Sequence, residues 1–264
     1  MPILSPEPAS SQGMAQSFGV DAPRYDRARP AYPAALITAI RTGSPGPDLL
    51  DIGCGTGIAA RQFQAAGCTV LGVEPDARMA EYARDRGLDV EVATFETWQP
   101  GTRTFDTIIA AQSWHWVDAT TGPTKAAELL RPGGRLAIFG HVYEPPDAVA
   151  APFAAAFAQA APDSPLSTQP ARRPLELYRA GYTAFADQLR ATGRFDEPHL
   201  WQFDWQRPYT RDEWLALLPT TGGLTRLRPE QLTVVLDAVG AAIDALGGSF
   251  TMEYTTLATT AVRR

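Results

Sequence analysis

The sequence predicts an α/β protein organised around a mostly parallel sheet. Short apolar runs alternate with helical segments across residues 48–139, and glycine or proline separates many of the neighbouring segments. The brevity of the apolar runs favours buried strands. Regular alternation of strand and helix is typical of βαβ crossovers, which bury a parallel sheet between helices on both faces. With 264 residues, 45% of them hydrophobic, the chain is long enough for one large domain.

The first part of the chain carries five predicted strands and four predicted helices. The strands cover residues 48–52, 69–73, 88–92, 107–111 and 135–139. The helices cover residues 34–41, 58–66, 76–86 and 123–130. Asp76 is placed to cap the third helix, and Gly87 follows its end.

The alternation breaks after residue 140. Helices are predicted over residues 148–161, 175–191 and 230–246, and strands over residues 200–205 and 250–261. The helix over 230–246 carries a single apolar stripe, with Pro229 before it and Gly247 after it. The run 250–261 is rich in Thr and Tyr, and we expect it to form an edge strand.

Four regions follow from this pattern. We expect a disordered tail over residues 1–13, a core with its N-terminal segment over residues 14–143, a helical lid over residues 144–198, and the completion of the core sheet over residues 199–264. The tail lacks the basic and apolar regions of a signal peptide. No apolar run approaches the ~20 residues of a membrane-spanning helix, so no membrane partner is expected.

Composition narrows the function class. Lys and Arg number 23 against 29 Asp and Glu, and the net charge of -6 argues against a protein held on nucleic acid by phosphate contacts. Two cysteines are too few for a disulfide framework, so a reduced, cytoplasmic protein is expected. We predict no metal site, and the oligomeric state is left open.

The most informative motif follows the first predicted strand. Residues 53–57 read Gly-Cys-Gly-Thr-Gly, so a strand turns into a helix through three glycines and exposes backbone N–H groups to a ligand. The spacing differs from the G-x-G-x-x-G of dinucleotide enzymes, and no P-loop lysine is present. Glu74 ends the second strand beside this loop, where a carboxylate accepts hydrogen bonds from a ribose diol. Together these features indicate a nucleoside ligand without a pyrophosphate.

The chain resembles the class I S-adenosylmethionine-dependent methyltransferases over about residues 48–140. Residues 51–57 (Asp-Ile-Gly-Cys-Gly-Thr-Gly) are similar to motif I of that family, and Glu74 matches its ribose acid. Residues 129–136 match its turn before the fifth strand, and residues 18–33 resemble the N-terminal segment of type 11, trans-aconitate methyltransferase-like small-molecule members. The resemblance implies a Rossmann-like, seven-stranded, mostly parallel sheet with a helical lid insertion. It also implies S-adenosylmethionine as cofactor and a small-molecule acceptor.

The same resemblance assigns the cofactor-binding residues. They are Arg29, Asp51, Gly53, Cys54, Gly55, Glu74, Pro75, Thr94, Phe95 and Gln112. Gly53 and Gly55 with the adjoining amides would face the methionine half of the cofactor, and Pro75 would pack beside the adenine. One departure stands out, because Ala93-Thr94-Phe95 replaces the Gly-Asp-Ala whose Asp contacts adenine in the family.

The acceptor is expected where the fourth and fifth strands end. Residues 112–118 follow the fourth strand and resemble a His-Trp segment of the trans-aconitate methyltransferase-like group. The predicted catalytic residues are His115, Tyr25 and His141, and the predicted acceptor-binding residues are Trp114, Trp116 and Tyr143. Histidine accepts a proton near neutral pH, although each of these histidines can also be purely structural.

Two alternative functions remain open at this point. Carboxyl methylation of a small organic acid would make Arg29 essential and would need no base. A non-catalytic protein that binds S-adenosylmethionine or S-adenosylhomocysteine would explain the altered adenine segment. An RNA methyltransferase is disfavoured by the acidic charge balance.

Overall fold

The computed structural model describes residues 17–164 and 174–264, which form a seven-stranded sheet. The strands are β1 (Asp48–Ile52), β2 (Thr69–Val73), β3 (Asp89–Glu91), β4 (Phe105–Ala111), β5 (Leu130–Glu144), β6 (His199–Thr210) and β7 (Ser249–Val262). Their order in the sheet is β3-β2-β1-β4-β5-β7-β6. The first five strands pair in parallel, and β7 runs antiparallel to both of its neighbours. The predicted α/β, Rossmann-like fold with a mostly parallel seven-stranded sheet is confirmed.

Helices connect these strands on both faces of the sheet. They are α1 (Ala22–Ala28), α2 (Ala34–Thr42), α3 (Ile58–Ala65), α4 (Ala77–Arg84), α5 (Thr121–Leu129), α6 (Asp147–Ala160), α7 (Pro174–Thr192), α8 (Arg211–Leu217) and α9 (Pro229–Ala245). The Asp76 side chain caps α4 by accepting the N–H of Arg78, as the sequence predicts. The tail expected over residues 1–13 lies outside the described residues.

The prediction of an edge position for residues 250–261 is wrong. β7 lies between β5 and β6, and β6 is the edge strand. The threonines that suggested an exposed edge are buried and hydrogen-bonded. Thr259 Oγ1 donates to the carbonyl of Tyr182 at 2.7 Å, and Thr256 Oγ1 lies 2.9 Å from His141 Nδ1. Hydroxyl groups with such partners are accommodated in an interior strand.

Two apolar clusters cover the two faces of the sheet. One contains side chains of α2, α3 and α4, including Leu36, Ile40, Phe63 and Ala80. The other contains side chains of α5 and α7, including Ala126, Tyr182, Phe185 and Leu189. Helix α7 therefore packs directly on the sheet, although it lies within the predicted lid over 144–198.

A third apolar cluster lies beside the antiparallel strands. It joins α6, α8 and α9 with Ala28 of α1 and with the ends of β6 and β7. We call this group the helical cluster. Arg24 of α1 ties the N-terminal segment to it, since its guanidinium donates to the carbonyls of Leu215 and Ala216. None of the described helices combines the length and apolar character of a bilayer-spanning segment.

Candidate functional site

The glycine loop after β1 makes a tight turn into α3. Gly53, Gly55 and Gly57 have φ values of 65°, 56° and 86°, in a region that glycine adopts without strain. The N–H of Gly53 donates to the carbonyl of Val73 at 2.8 Å, which ties the loop to the end of β2. A Cβ atom at Gly53 would lie only 2.6 Å from the Cβ of Ser113. The loop therefore needs glycine for both its conformation and its packing.

Glu74 holds the other side of this loop. Its Oε2 accepts the N–H of Gly55 and its Oε1 accepts the N–H of Asp76, each at 2.9 Å. The side chain is buried, and burial raises the pKa of Glu74 to about 7 even though both hydrogen bonds oppose the shift. A carboxylate has about four acceptor positions, so two remain for a ligand diol.

The glycine amides differ from the sequence-based expectation. We expected Gly53 and Gly55 to offer free N–H groups to a ligand. In the structure both N–H groups already have protein acceptors, Val73 and Glu74 respectively. The absence of a side chain at these glycines therefore lets a ligand come close to the backbone. Their N–H groups hold the loop in its conformation.

Two polar side chains beneath the loop lack partners. Asp51 is fully buried, and neither of its carboxylate oxygens has a hydrogen-bond partner among the described residues. Burial raises the pKa of Asp51 well above its usual range, and the nearby Glu74 charge raises it further. Thr56 Oγ1 is also buried without a described partner. Buried polar atoms of this kind are costly, about 1–3 kcal/mol each, and point to a functional site.

A cavity of about 450 Å³ lies between this loop and the N-terminal segment. We call it the loop cavity; it is lined by Tyr25, Arg29, Pro30, Tyr32, Gly53, Cys54, Gly55, Thr56, Ile58, Ala59, Ala111 and Gln112. The Arg29 guanidinium lies 4.9 Å from the centre of the Tyr25 ring, and its Nε donates to Thr220 Oγ1 at 3.0 Å. No described carboxylate forms an ion pair with Arg29. The loop cavity thus presents one cation without an acidic partner.

A second cavity of about 400 Å³ adjoins the ends of β4 and β5. We call it the aromatic cavity; it is lined by Ala110, Gln112, Ser113, Trp114, His115, Ile138, Phe139, Gly140, His141, Tyr178, Tyr182 and Phe185. The predicted residues Trp114, His115 and His141 meet here. Tyr178, Tyr182 and Phe185 come from α7 and were not predicted. Their spacing of four and three residues on one helix was the available signal, but it does not say which surface the helix covers.

Gln112 is the residue that the two cavities share. Its φ of 56° is the one positive value at a non-glycine position within the described ranges. Such a conformation costs about 1 kcal/mol or more and persists where the surroundings enforce it. Here the Gln112 N–H donates to the carbonyl of Phe139 at 2.7 Å, and the Tyr32 hydroxyl lies 3.5 Å from Gln112 Oε1. Gln112 therefore marks the boundary between the cavities.

His115 is a neutral imidazole on the aromatic cavity. Burial lowers its pKa to about 4. The ring centre lies 4.4 Å from that of Trp116, and Nε2 is buried with no hydrogen-bond partner in the described part of the chain. His115 thus brings an unpaired buried nitrogen to the lining of the aromatic cavity.

His141 is held more tightly by its neighbours. It stacks on Tyr32 at 4.3 Å, and its Nδ1 lies 2.9 Å from Thr256 Oγ1, which also accepts the indole N–H of Trp205. Burial, together with the Arg29 charge, lowers the pKa of His141 to about 3, and the Pro30 carbonyl opposes this shift. Nε2 of His141 is buried without a hydrogen-bond partner among the described residues.

Of the three predicted acceptor residues, Trp114 alone lines the aromatic cavity. It is buried and donates its indole N–H to Gln188 Oε1 at 3.2 Å. Trp116 and Tyr143 are half-buried but line neither cavity. Tyr143 packs beside Trp214 of the helical cluster, with ring centres 6.0 Å apart.

The predicted adenine residues lie outside both cavities, near the ends of β2 and β3. Pro75 is exposed, whereas the Phe95 side chain is buried in the core. Thr94 Oγ1 lies 3.0 Å from Thr97 Oγ1, so it closes a local turn. No group of three or more His, Cys, Asp or Glu side chains suited to a metal occurs among residues 17–164 and 174–264.

Comparison with known proteins finds a similar family and similar curated proteins. Residues 49–134 match the family described as a methyltransferase domain. The uncharacterized methyltransferase Rv3342 of Mycobacterium tuberculosis is 33% identical over 132 residues, which are 49% of this chain and 54% of the relative. A ubiquinone biosynthesis O-methyltransferase of Bradyrhizobium sp. is 32% identical over 100 residues, 35% of this chain and 39% of the relative. The chain thus spans about half the length, or less, of these curated relatives.

One solved structure extends the likeness to the whole fold. A protein described as a type II methyltransferase from Anaeromyxobacter dehalogenans superposes with a TM-score of 0.62 at 23% identity. The match covers 89% of this chain and 97% of that protein. At this level of identity the likeness concerns the fold alone.

Proposed function

We propose that this chain, whose residues 49–134 form a class I S-adenosylmethionine-dependent methyltransferase domain, methylates a small-molecule acceptor. The observation that carries the proposal is the junction of two chemically different cavities at Gln112. The loop cavity would hold the methionine half of the cofactor, and the aromatic cavity would hold the acceptor. Bringing two reactants together in one geometry supplies much of the rate of a bimolecular substitution.

The residues of the loop cavity and its surroundings fit S-adenosylmethionine. Glu74 retains acceptor positions for the ribose hydroxyls, and the half-buried Arg29 lacks an acidic partner among the described residues. We propose that Arg29 binds the methionine carboxylate and that the Tyr25 ring, over which the guanidinium lies, orients it. Asp51, Cys54, Pro75, Thr94, Phe95 and Gln112 remain proposed cofactor contacts. When bound, the cofactor supplies a methyl group on a positively charged sulfur.

The three predicted catalytic residues receive different proposed roles. His115 would accept a hydrogen bond from the acceptor through its unpaired Nε2 and so orient the acceptor oxygen. His141 is packed between Tyr32 and Trp205, so we propose that it positions Tyr32 beside Gln112. Tyr25 acts on the cofactor side, through Arg29.

The expected lid and cellular location also remain proposals. We propose that α6, α8 and α9 cover the site, while α7 supplies the acceptor wall from within the predicted insertion. A cover of this kind keeps water from a reactive sulfonium. Two buried free cysteines fit a reducing cytoplasm.

The binding of S-adenosylhomocysteine tests the proposal. Calorimetry should find one site on the wild-type protein and about 100-fold weaker binding to Glu74→Ala, because hydrogen bonds to a charged group contribute about 1.5–3 kcal/mol each. Glu74→Gln, which keeps one acceptor oxygen, should fall between the two. Glu81→Ala removes an exposed carboxylate from α4 and should bind like wild type. Unchanged affinity in a folded Glu74→Ala variant would rule out the ribose assignment.

A further inference from the structure

The aromatic side chains of the aromatic cavity come from two segments. Trp114 precedes α5, and Tyr178, Tyr182 and Phe185 project from α7. Aromatic side chains favour stacked or edge-to-face contact with other rings. The cavity therefore suits a planar, ring-containing molecule.

The described lining of this cavity also carries no charge. It includes no Asp, Glu, Lys or Arg among residues 17–164 and 174–264. His115 and His141 are both neutral at neutral pH, because burial lowers their pKa values to about 4 and about 3. A carboxylate or ammonium placed here would lose its hydration without gaining a counter-charge, which is strongly unfavourable.

Two imidazole nitrogens on this uncharged surface lack a hydrogen-bond partner within the described residues. They are Nε2 of His115 and Nε2 of His141, and the His141 side chain is held in place by Thr256 Oγ1 at Nδ1 and by the stacked Tyr32 ring. A ligand hydroxyl would supply the hydrogen bond that His115 Nε2 lacks. The position of this nitrogen thus specifies a hydrogen-bonding group on the ring-containing ligand.

We infer that the acceptor is an uncharged aromatic alcohol, a phenol, whose hydroxyl group donates to His115 Nε2. The inference rests on the proposed function and deepens it. A lone pair of the phenolic oxygen forms the new O–CH₃ bond as the S–CH₃ bond breaks and its electron pair returns to sulfur. The phenolic proton leaves for solvent as the O–CH₃ bond forms, and the neutral His115 Nε2 accepts the hydrogen bond that orients the oxygen. Carboxyl methylation is disfavoured on the same grounds, because Arg29 lines the loop cavity and not the aromatic cavity.

A matched set of three ligands tests this inference. The affinities of 2-naphthol, 2-naphthoate and 2-methoxynaphthalene are measured by calorimetry on the full chain, with and without saturating S-adenosylhomocysteine. We expect 2-naphthol to bind at least about tenfold tighter than the carboxylate, which lacks a counter-charge, and several-fold tighter than the ether, which lacks the hydroxyl hydrogen. Equal or tighter binding of 2-naphthoate, or no binding of any of the three, would overturn the inference.

The variant His115→Phe separates the effect of the imidazole nitrogens from that of ring packing, because it keeps a planar ring and removes the nitrogens. Its affinity for 2-naphthol should fall to that for 2-methoxynaphthalene, while affinity for the ether stays within about twofold of wild type. An unchanged preference for the alcohol would show that His115 only packs, and would also overturn the inference. Methyl transfer from labelled S-adenosylmethionine to 2-naphthol should fall in parallel. Failure of the proposed function is distinguishable, because it would appear as loss of S-adenosylhomocysteine binding by the wild-type protein.

Discussion

The loop cavity and the aromatic cavity share a boundary residue but differ in how they recognise a ligand. The loop cavity presents backbone, three positive-φ glycines nearby and the cation of Arg29. The aromatic cavity presents rings and neutral imidazoles. On the proposed function, this difference would keep a charged cofactor and an uncharged acceptor in separate environments that meet beside Gln112.

The largest effect is expected from closing the boundary between the cavities. A Cβ atom at Gly140 would lie 2.6 Å from the Tyr182 hydroxyl and 2.7 Å from Gln112 Cγ. We expect Gly140→Ala to lower methyl transfer to 2-naphthol by about 100-fold or more, since a displacement of about 1 Å has effects of that size. Affinity for S-adenosylhomocysteine should stay within about threefold, because most of the loop cavity is untouched.

Gly43→Ala is the matched control for this change. Its Cβ would lie 2.8 Å from the end of the Arg135 side chain, a group that can move, and Gly43 lines neither cavity. Wild-type turnover in Gly140→Ala would contradict the proposed boundary. Equal losses of turnover and cofactor binding would show instead that the two cavities act as one site.

The next effect concerns the single cation. We expect Arg29→Met to weaken S-adenosylhomocysteine binding by about 10- to 100-fold, the range of one charge-assisted hydrogen-bonded contact. Arg24→Met is the control, because Arg24 also donates to the helical cluster but does not line the loop cavity. Calorimetry on both variants separates ligand binding from the attachment of the N-terminal segment. Similar losses in both would remove Arg29 from the cofactor site.

The smallest effect is a pH dependence of cofactor affinity. The pKa of Glu74 in the free protein is about 7, and ribose hydroxyls donate to its ionised form. Binding therefore favours deprotonation, and affinity for S-adenosylhomocysteine should fall about five- to tenfold between pH 8 and pH 6. Glu74→Gln, which cannot ionise, should bind with nearly constant affinity across this range. A wild-type profile that is flat or slopes the other way would contradict the role of Glu74.

The parallel half of the molecule could be predicted from sequence because its signals are local. The run at 48–52, the glycines at 53–57 and the acid at Glu74 are each decided by neighbours in the chain. The strand, the turn and the buried carboxylate all lie where these residues indicate. The hydrogen bond from the Gly55 N–H to Glu74 could not be predicted from the sequence, because it depends on how closely the segments after β1 and β2 approach each other.

The antiparallel half could not be predicted as well because its contacts are distant in the chain. The interior position of β7 depends on hydrogen-bond partners for its buried threonines. One such partner of Thr256 is His141, which is 115 residues away in the chain. In the same way, Tyr178 and Tyr182 reach the aromatic cavity because α7 returns to the sheet, and no local pattern specifies that return. A polar residue in a strand pattern therefore indicates an exposed position only when the folded chain supplies no hydrogen-bond partner for it.

A crystal structure with S-adenosylhomocysteine bound tests the central claim most directly. We predict one ligand per chain, with its ribose hydroxyls on Glu74, its carboxylate on Arg29 and its sulfur beside Gln112, facing the aromatic cavity. A ligand whose homocysteine half occupies the aromatic cavity, or whose sulfur points away from Gln112, would contradict the assignment of the cofactor to the loop cavity and the acceptor to the aromatic cavity.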